Sequence, residues 1–432
     1  MALVTTRFSR NFYVQSRRWQ RRLIFIAGGL VVGAAAVALA ILSDRAMFAF
    51  HRLREAAPWA VYMVTPLGFG LTAYLANRYF PNTGGSGIPQ AIAARTLSDP
   101  AERGRLVSVR IAIGKILLTL LGLLAGASTG REGPSVQVGA SLMFALGRVS
   151  RRHQSGLILA GSAAGVAAAF NTPLAGIVFA IEEMSRSFET RTSGLIIGTI
   201  IAAGVTSMAI LGNYTYFGTT EAVLHHWRDW LAVPVCGVAG GLMGGLFARI
   251  LIAFGAGLPG RAGRWIKSRP ILFAIGCGMA VALCGFLSGG AIHGTGYAEA
   301  KAALHAQEAL PIAYAPLKML ATIFSSICGV PGGIFSPSLS VGAGVGSEIA
   351  RLFPETPAGA LVLLGMVSYF TGVVQAPITG FVIVSEMTDN HELLVPLMLA
   401  ALIAQGTSRL ICREGVYHAL SKNFLPRPPS SA

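Results

Sequence analysis

Uncharged apolar runs recur along the chain: LIFIAGGLVVGAAAVALAIL over 23–42, WAVYMVTPLGFGLTAYLA over 59–76, SGLIIGTIIAAGVTSMAIL over 193–211 and LLVPLMLAALIAQ over 393–405. None alternates apolar and polar positions, which excludes half-buried strands. Each is long enough to cross or nearly cross a hydrocarbon layer of ~30 Å as a helix. Other apolar segments are too short to span or are interrupted by Gly and Pro: GGSGIPQAIAA over 84–94, GREGPSVQVGASLMFALG over 130–147, FNTPLAGIVFAIEEM over 170–184 and GVPGGIFSPSLSVGAGVG over 329–346. Each pairs a Gly-rich lead-in with a Pro near the first helical turn, where the missing N–H costs nothing. The pattern predicts half-helices that start inside the membrane. Such a start presents unpaired N–H groups and the positive end of the helix dipole, and Gly lets the backbone approach a ligand closely. Several starts converging at midplane would bind an anion without a fixed Arg or Lys that holds it too tightly to release.

The chain also matches itself. GREGPSVQVGA (130–140) aligns with GIFSPSLSVGA (333–343), so that Pro134 meets Pro337, Ser135 meets Ser338 and VGA meets VGA. With a one-residue shift, LILAG (157–161) aligns with LVLLG (361–365) and NTPLAGIVFAIEEM (171–184) with QAPITGFVIVSEMT (375–388). Three blocks in order, with Pro or Gly at fixed places, make the chain a duplication. With both termini cytoplasmic, each half has an odd number of crossings and the halves are inverted, with a substrate site expected where they meet near the midplane. The expected organisation is a basic cytoplasmic segment (1–22), a first transmembrane half (23–215), a second (216–420) and a short cytoplasmic tail (421–432).

Composition agrees with lipid as the solvent: of 432 residues, 53% are hydrophobic and 12% charged. The formal charge of +16 does not indicate nucleic acid, because Arg7, Arg10, Arg17, Arg18, Arg21 and Arg22 stand immediately before the first apolar run, where positive residues hold a terminus in the cytoplasm. That run exceeds the usual core of a cleaved signal peptide. Cys236, Cys277, Cys284, Cys328 and Cys412 show no CxxC spacing, so neither a metal site nor a disulfide framework is expected, and no cofactor is implied. The cluster TDNHE (388–392) fits no metal motif and reads as a solvated turn. GxxxG spacings at Gly237–Gly241 and Gly240–Gly244 allow close helix approach, within a subunit or at a dimer face.

The duplication sorts the acids. Glu182 aligns with Glu386, which suggests a structural role common to both halves, such as a charge pair or a helix-end contact. Glu183 aligns with Met387 and Glu132 with Phe335. An intramembrane acid without a symmetry mate is a functional candidate. Burial favours the neutral form of such an acid and a helix N-terminus its carboxylate, so Glu132 is placed to change charge while competing with an anion for the same N–H groups.

GGSGIP with Ser86, GREGP with Glu132, GGIFSP with Ile334 and Phe335, and Tyr417 in EGVYHAL together resemble the CLC family of chloride channels and chloride/proton exchangers. PLAGIVFAIEEM and QAPITGFVIVSEMTDN resemble family signatures too, and the resemblance runs from about Tyr62 to Leu420. It implies an all-α polytopic membrane protein of two inverted repeats of tilted and half-spanning helices. It also implies a homodimer in a prokaryotic inner membrane, with an anion pathway in each subunit. The hydroxyls of Ser86 and Tyr417 and the backbone N–H groups of Ile334 and Phe335 would hold the central anion. Glu132 would be the outer gate, its carboxylate occupying an anion position formed by the backbone of Gly130, Arg131 and Gly133. Glu183 would relay protons to the cytoplasm. Having both acids favours an exchanger over a passive chloride channel. Ser86 and Tyr417 match the chloride-type pattern rather than the fluoride branch, and bromide and nitrate are expected to pass as well. The family's paired C-terminal nucleotide-binding modules have no counterpart here, so regulation by adenine nucleotides is not expected.

Two readings from other classes compete. GGSG around Ser86 resembles the nucleophile motif of intramembrane serine proteases, which need a histidine base inside a span. His51, His153, His225, His226, His293, His305, His391 and His418 mostly stand at charged or polar junctions instead. A cation-coupled solute carrier would suit broken helices and repeats, but it groups acids or carbonyls around its ion, whereas the special positions here are helix N-termini.

Overall fold

The computed structural model describes residues 2–147, 153–185, 193–212, 214–306 and 310–426. Among them it is helical throughout, with no strand beyond two isolated bridges. The first part comprises α1 (Ala2–Ala56), α2 (Val61–Tyr79), α3 (Ile88–Thr96), α4 (Pro100–Leu106), α5 (Val109–Leu124), α6 (Glu132–Leu146), α7 (Gln154–Phe170) and α8 (Pro173–Phe179), which continues into a π-helical turn (Ala180–Ser185), and α9 (Ser193–Leu211). After a linker come α10 (Ala232–Ala256), α11 (Gly260–Ser268), α12 (Pro270–Leu287), α13 (Tyr297–Leu304), α14 (Tyr314–Ile327), α15 (Phe335–Ala350), α16 (Ala358–Val374), α17 (Pro377–Thr388), α18 (Leu394–Ile411) and α19 (Val416–Ser421). The basic N-terminal stretch and the first apolar run form one uninterrupted helix, α1. Of the expected tail, 427–432 lie outside the described residues.

Among the described residues seven helices are long and apolar enough to cross a membrane, and they include all four apolar runs picked out above. The other three are Pro100–Leu124, Asp229–Ala256 and Pro270–Leu287. Large apolar side chains such as Leu67, Leu117, Ile201, Leu283 and Leu402 are exposed on these helices, as hydrocarbon contact requires. Lipid gives little apolar driving force between helices, so close backbone packing must hold them together.

That packing repeats across the two halves. The backbones of α6 and α7 touch at Gly139 and Gly161, where a Cβ on either would run into the carbonyl oxygen of the other. Gly342 and Gly365 make the same crossing between α15 and α16. The aligned VGA, LILAG and LVLLG motifs are therefore two copies of one contact. Both α7 and α16 end on a non-Gly residue in the left-handed region, Asn171 at φ 56° and Gln375 at φ 61°, immediately ahead of α8 and α17. The aligned acids are reciprocal caps. Glu182 accepts from the N–H groups of Ile378 (3.1 Å) and Thr379 (2.6 Å) at the start of α17. Glu386 accepts from those of Leu174 (3.1 Å) and Ala175 (2.7 Å) at the start of α8. Each carboxylate sits on a helix N-terminus, so the shared role is a helix-end contact between the halves of an inverted repeat.

The GxxxG positions pack within the chain. Gly237, Gly241 and Gly245 of α10 lie against α18, while Gly240 and Gly244 lie against α16 at Ser368, Tyr369 and Gly372. The TDNHE turn keeps Asp389 and His391 in solvent but buries Asn390, whose side chain donates to the Thr220 and Ala222 carbonyls at 3.0 Å each and ties down the linker between the halves.

Because the obstacle at Gly139 is backbone, it cannot step aside. Gly139→Val is expected to destabilise the protein by about 3 kcal/mol, the upper part of the range for overpacked cores. A lowered thermal midpoint in detergent, read from the monodisperse size-exclusion peak, checks this. Gly276→Ala, with nothing within 4 Å of the added carbon, should leave the midpoint unchanged.

Candidate functional site

Three interrupted segments meet where the halves touch. Gly130 and Gly333, in the lead-ins to α6 and α15, exchange backbone hydrogen bonds of 2.7 Å in each direction. The Gly332 N–H donates to the Gly85 carbonyl at 3.0 Å, which brings in the lead-in to α3. Gly87, the N-cap of α3, has φ 99°, and a side chain there would also press on Gln137 at 2.8 Å. Gly133 has no room for a Cβ because the Ser86 hydroxyl occupies that space. The N-cap residues of α3, α6 and α15, Gly87, Arg131 and Ile334, make no side-chain cap of their own. Three positive helix ends thus converge with their N–H groups left for a ligand.

Two hydroxyls join them. The oxygens of Ser86 and Tyr417 are buried and have no hydrogen-bond partner among the described residues. Both line a cavity of about 260 Å³ together with Gly84, Gly85 and Ile334. From there it extends past Leu251 and Phe254 to Leu420, Asn423 and Phe424, towards the C-terminal end of the described chain. Tyr417 is held in α19 against Phe335 (ring centroids 5.6 Å apart), and the Phe335 ring also packs on Phe170, Phe179 and Phe370. The Phe335 side chain is therefore core, and only its backbone is placed to serve a ligand. No histidine is hydrogen-bonded to the Ser86 hydroxyl among the described residues, so the serine-nucleophile reading lacks its base.

Glu132 opens α6 and is fully buried. One carboxylate oxygen accepts from the Ser336 hydroxyl at 2.6 Å, so the acid reaches across to the start of α15. The other has no partner among the described residues. Arg131 turns the opposite way: its guanidinium donates to the Ala40 carbonyl (2.8 Å) and pairs with Asp44 (2.5 Å), both on α1. The Gly130 N–H is spent on Gly333, so of the three residues expected to present backbone to an outer anion, Gly130 braces the lead-ins instead.

Glu183 lies in the π-helical turn after α8 and is 3% exposed. The wider turn separates two adjacent acids: Glu182 reaches out to α17, while Glu183 faces α19. His418 of α19, the residue after Tyr417, places Nε2 at 2.7 Å from the Glu183 carbonyl oxygen and 3.8 Å from its carboxylate. Sequence reasoning grouped His418 with histidines at polar junctions, and the contact with Glu183 is long-range.

Two buried lysines also escaped it. Lys115 of α5 is fully buried and donates to the carbonyls of Thr83 (2.8 Å) and Gly85 (2.5 Å), immediately ahead of Ser86. Lys318 of α14 does the same for Ile292 and Gly294 at 2.8 Å each, ahead of α13. A buried ammonium is tolerable only with its donors met; here loop carbonyls meet them, and the loop is fixed in return. The signal was available, since a lone cation inside an apolar run, IAIGKILLTLL or YAPLKMLATIF, is a functional candidate in a membrane.

Residues 68–409 match the family described as voltage gated chloride channel. The H(+)/Cl(-) exchange transporter ClcA of Yersinia pestis is 32% identical over 451 aligned positions, covering 94% of this chain and 88% of that protein. Its namesake from Cronobacter sakazakii is 32% identical, covering 92% and 88%. Among solved structures, a slow cyanobacterial Cl-/H+ antiporter aligns with TM-score 0.80 and 25% identity over 93% of this chain and 97% of that one. A CLC-type fluoride/proton antiporter shares the fold with TM-score 0.79 at 22% identity over 93% and 97% of the two chains.

Proposed function

Because the chain belongs to the voltage-gated chloride channel family, we propose that it carries chloride across a membrane in exchange for protons. The observation that carries this reading is the meeting of three helix starts around the buried hydroxyls of Ser86 and Tyr417, with a buried carboxylate at the first residue of one start. Relatives named as proton/chloride exchangers support the same activity.

In this reading a central chloride accepts from Ser86, Tyr417 and the N–H groups of Ile334 and Phe335. The Glu132 carboxylate is the protein's own anion, held by Ser336 and the α6 start, where the amides of Arg131 and Gly133 serve the outer position. Protonation removes its charge, weakens its hold on those donors and lets chloride take its place; chloride leaving draws the carboxylate back. Proton binding and anion exit are thereby two halves of one step. Glu183, screened from lipid beneath α19, supplies and receives the proton on the C-terminal side. The dividing line falls between 215 and 216, both termini are cytoplasmic in a prokaryotic inner membrane, and two copies form a homodimer with one pathway each.

The direct test is chloride flux from liposomes with simultaneous pH recording. A chloride gradient should drive protons uphill in the unmodified protein. Chloride flux without proton movement would make it a passive channel, and transport of an organic solute without chloride would make it a solute carrier.

A further inference from the structure

We propose that His418 passes protons between the aqueous C-terminal side and Glu183. The inference rests on the reading of Glu183 as the proton-transfer acid. It adds a residue that sits between that acid and water. The imidazole is in contact with the acid at two points, its Nε2 lying 2.7 Å from the Glu183 carbonyl and 3.8 Å from the carboxylate. Its side chain is 18% exposed against 4% for Glu183, so of the two His418 is the more open. Imidazole is the side chain whose ordinary titration range is near neutrality, and its two nitrogens let a proton enter at one and leave at the other.

The carbonyl bond fixes Nε2–H on the acid's side of the ring. A proton from water binds Nδ1 and gives the imidazolium. Nε2 then releases its proton to the Glu183 carboxylate, which becomes the neutral acid, and the ring is left as the Nδ1–H tautomer. The ring returns to the Nε2–H form by giving its Nδ1 proton to water and taking another from water at Nε2, an exchange with no net transfer, so each cycle delivers one proton to Glu183. Among the described residues, the charged groups on elements packed against α19 are Arg95 of α3, Arg249 of α10, and Glu182 and Glu183 of the π turn, with Glu414 and Lys422 flanking α19 itself. Lys422 pairs with Glu414 at 2.5 Å, Glu182 is spent on α17, and Arg95 donates to Met184 and Ser185. Glu183 is the acid in contact with the ring. Tyr417 stands next to His418 in sequence, so one short helix carries both the anion's hydroxyl and the proton's imidazole.

The test is proton movement driven by a chloride gradient in liposomes, at clamped potential and equal starting pH on both sides, where the proton rate reports supply through Glu183. His418→Ala should lower the rate about a hundredfold at neutral pH, the low end for loss of a positioned acid–base group. Imidazole at equal concentration on both faces should restore much of that rate, while a bulky sulfonate buffer should not. His418→Gln keeps an N–H for the Glu183 carbonyl but cannot shuttle, so it should fold normally and be slow. A His418→Gln rate equal to the unmodified protein's, or a His418→Ala loss that imidazole leaves untouched, would overturn the proposal. Glu183→Gln run in parallel separates the two ideas: if it keeps full coupling, the Glu183 reading fails first. If it loses coupling while both His418 variants behave normally, His418 alone is excluded.

Discussion

Glu132→Gln in liposomes is expected to carry chloride at a rate independent of pH and to move no protons. The amide has the size of the carboxylic acid and can still accept from Ser336, now 2.6 Å away, so the starts of α6 and α15 should keep their positions. What it cannot do is ionise. A carboxylate competes with chloride for helix-start N–H groups through its full charge, and charge-assisted bonds are roughly twice as strong as neutral ones. The amide loses that competition at every pH, so the outer position stays open to anions. The measurement is paired chloride and proton flux between about pH 4 and 8, a window that takes in the ordinary glutamate and imidazole midpoints. The unmodified protein should show a chloride rate that varies across the window, and the variant a flat line. Proton pumping retained in Glu132→Gln would place the gate elsewhere.

Glu183→Gln is expected to lose proton movement while chloride flux persists. Its neighbour supplies the control. Glu182→Gln removes a carboxylate that accepts from two N–H groups of α17. Hydrogen bonds to charged groups contribute roughly 1.5–3 kcal/mol each, so that variant should lose thermal stability and keep its proton coupling. The two adjacent acids differ in what they touch rather than in chemistry, and the π-helical turn between α8 and the undescribed residues makes the difference. If Glu182→Gln uncoupled and Glu183→Gln did not, the roles assigned to the pair would be reversed.

Much of this was legible because symmetry sorts residues without a structure. Pairing Glu182 with Glu386 pointed to a common contact, and both prove to cap the opposite half's helix. Leaving Glu132 and Glu183 without mates pointed to function. The Gly-Pro starts were readable for a similar reason: the residues that permit a close backbone are few, and they appear in both copies. Other features were not readable. GxxxG on α10 left subunit and dimer packing equally open, because spacing gives a face and not its partner; two neighbouring faces of one helix turn out to serve α16 and α18. The contact of His418 with Glu183 joins residues far apart in sequence and has no counterpart in the other half to draw attention to it. Lys115 and Lys318 were hidden by the strength of the apolar pattern around them, although they occupy matching places in the two halves.

The crossed caps also bear on how the chain is made. Synthesis delivers the N-terminal half first, and α8 then enters the bilayer with the N–H groups of Leu174 and Ala175 still bare, because Glu386 has not yet been translated. In hydrocarbon such bare donors are a standing penalty. The first half is thus an unfinished object until the second arrives, and the second needs Glu182 in the same way. A gene that has doubled into this arrangement cannot easily split again: each copy has given the other the piece that completes it.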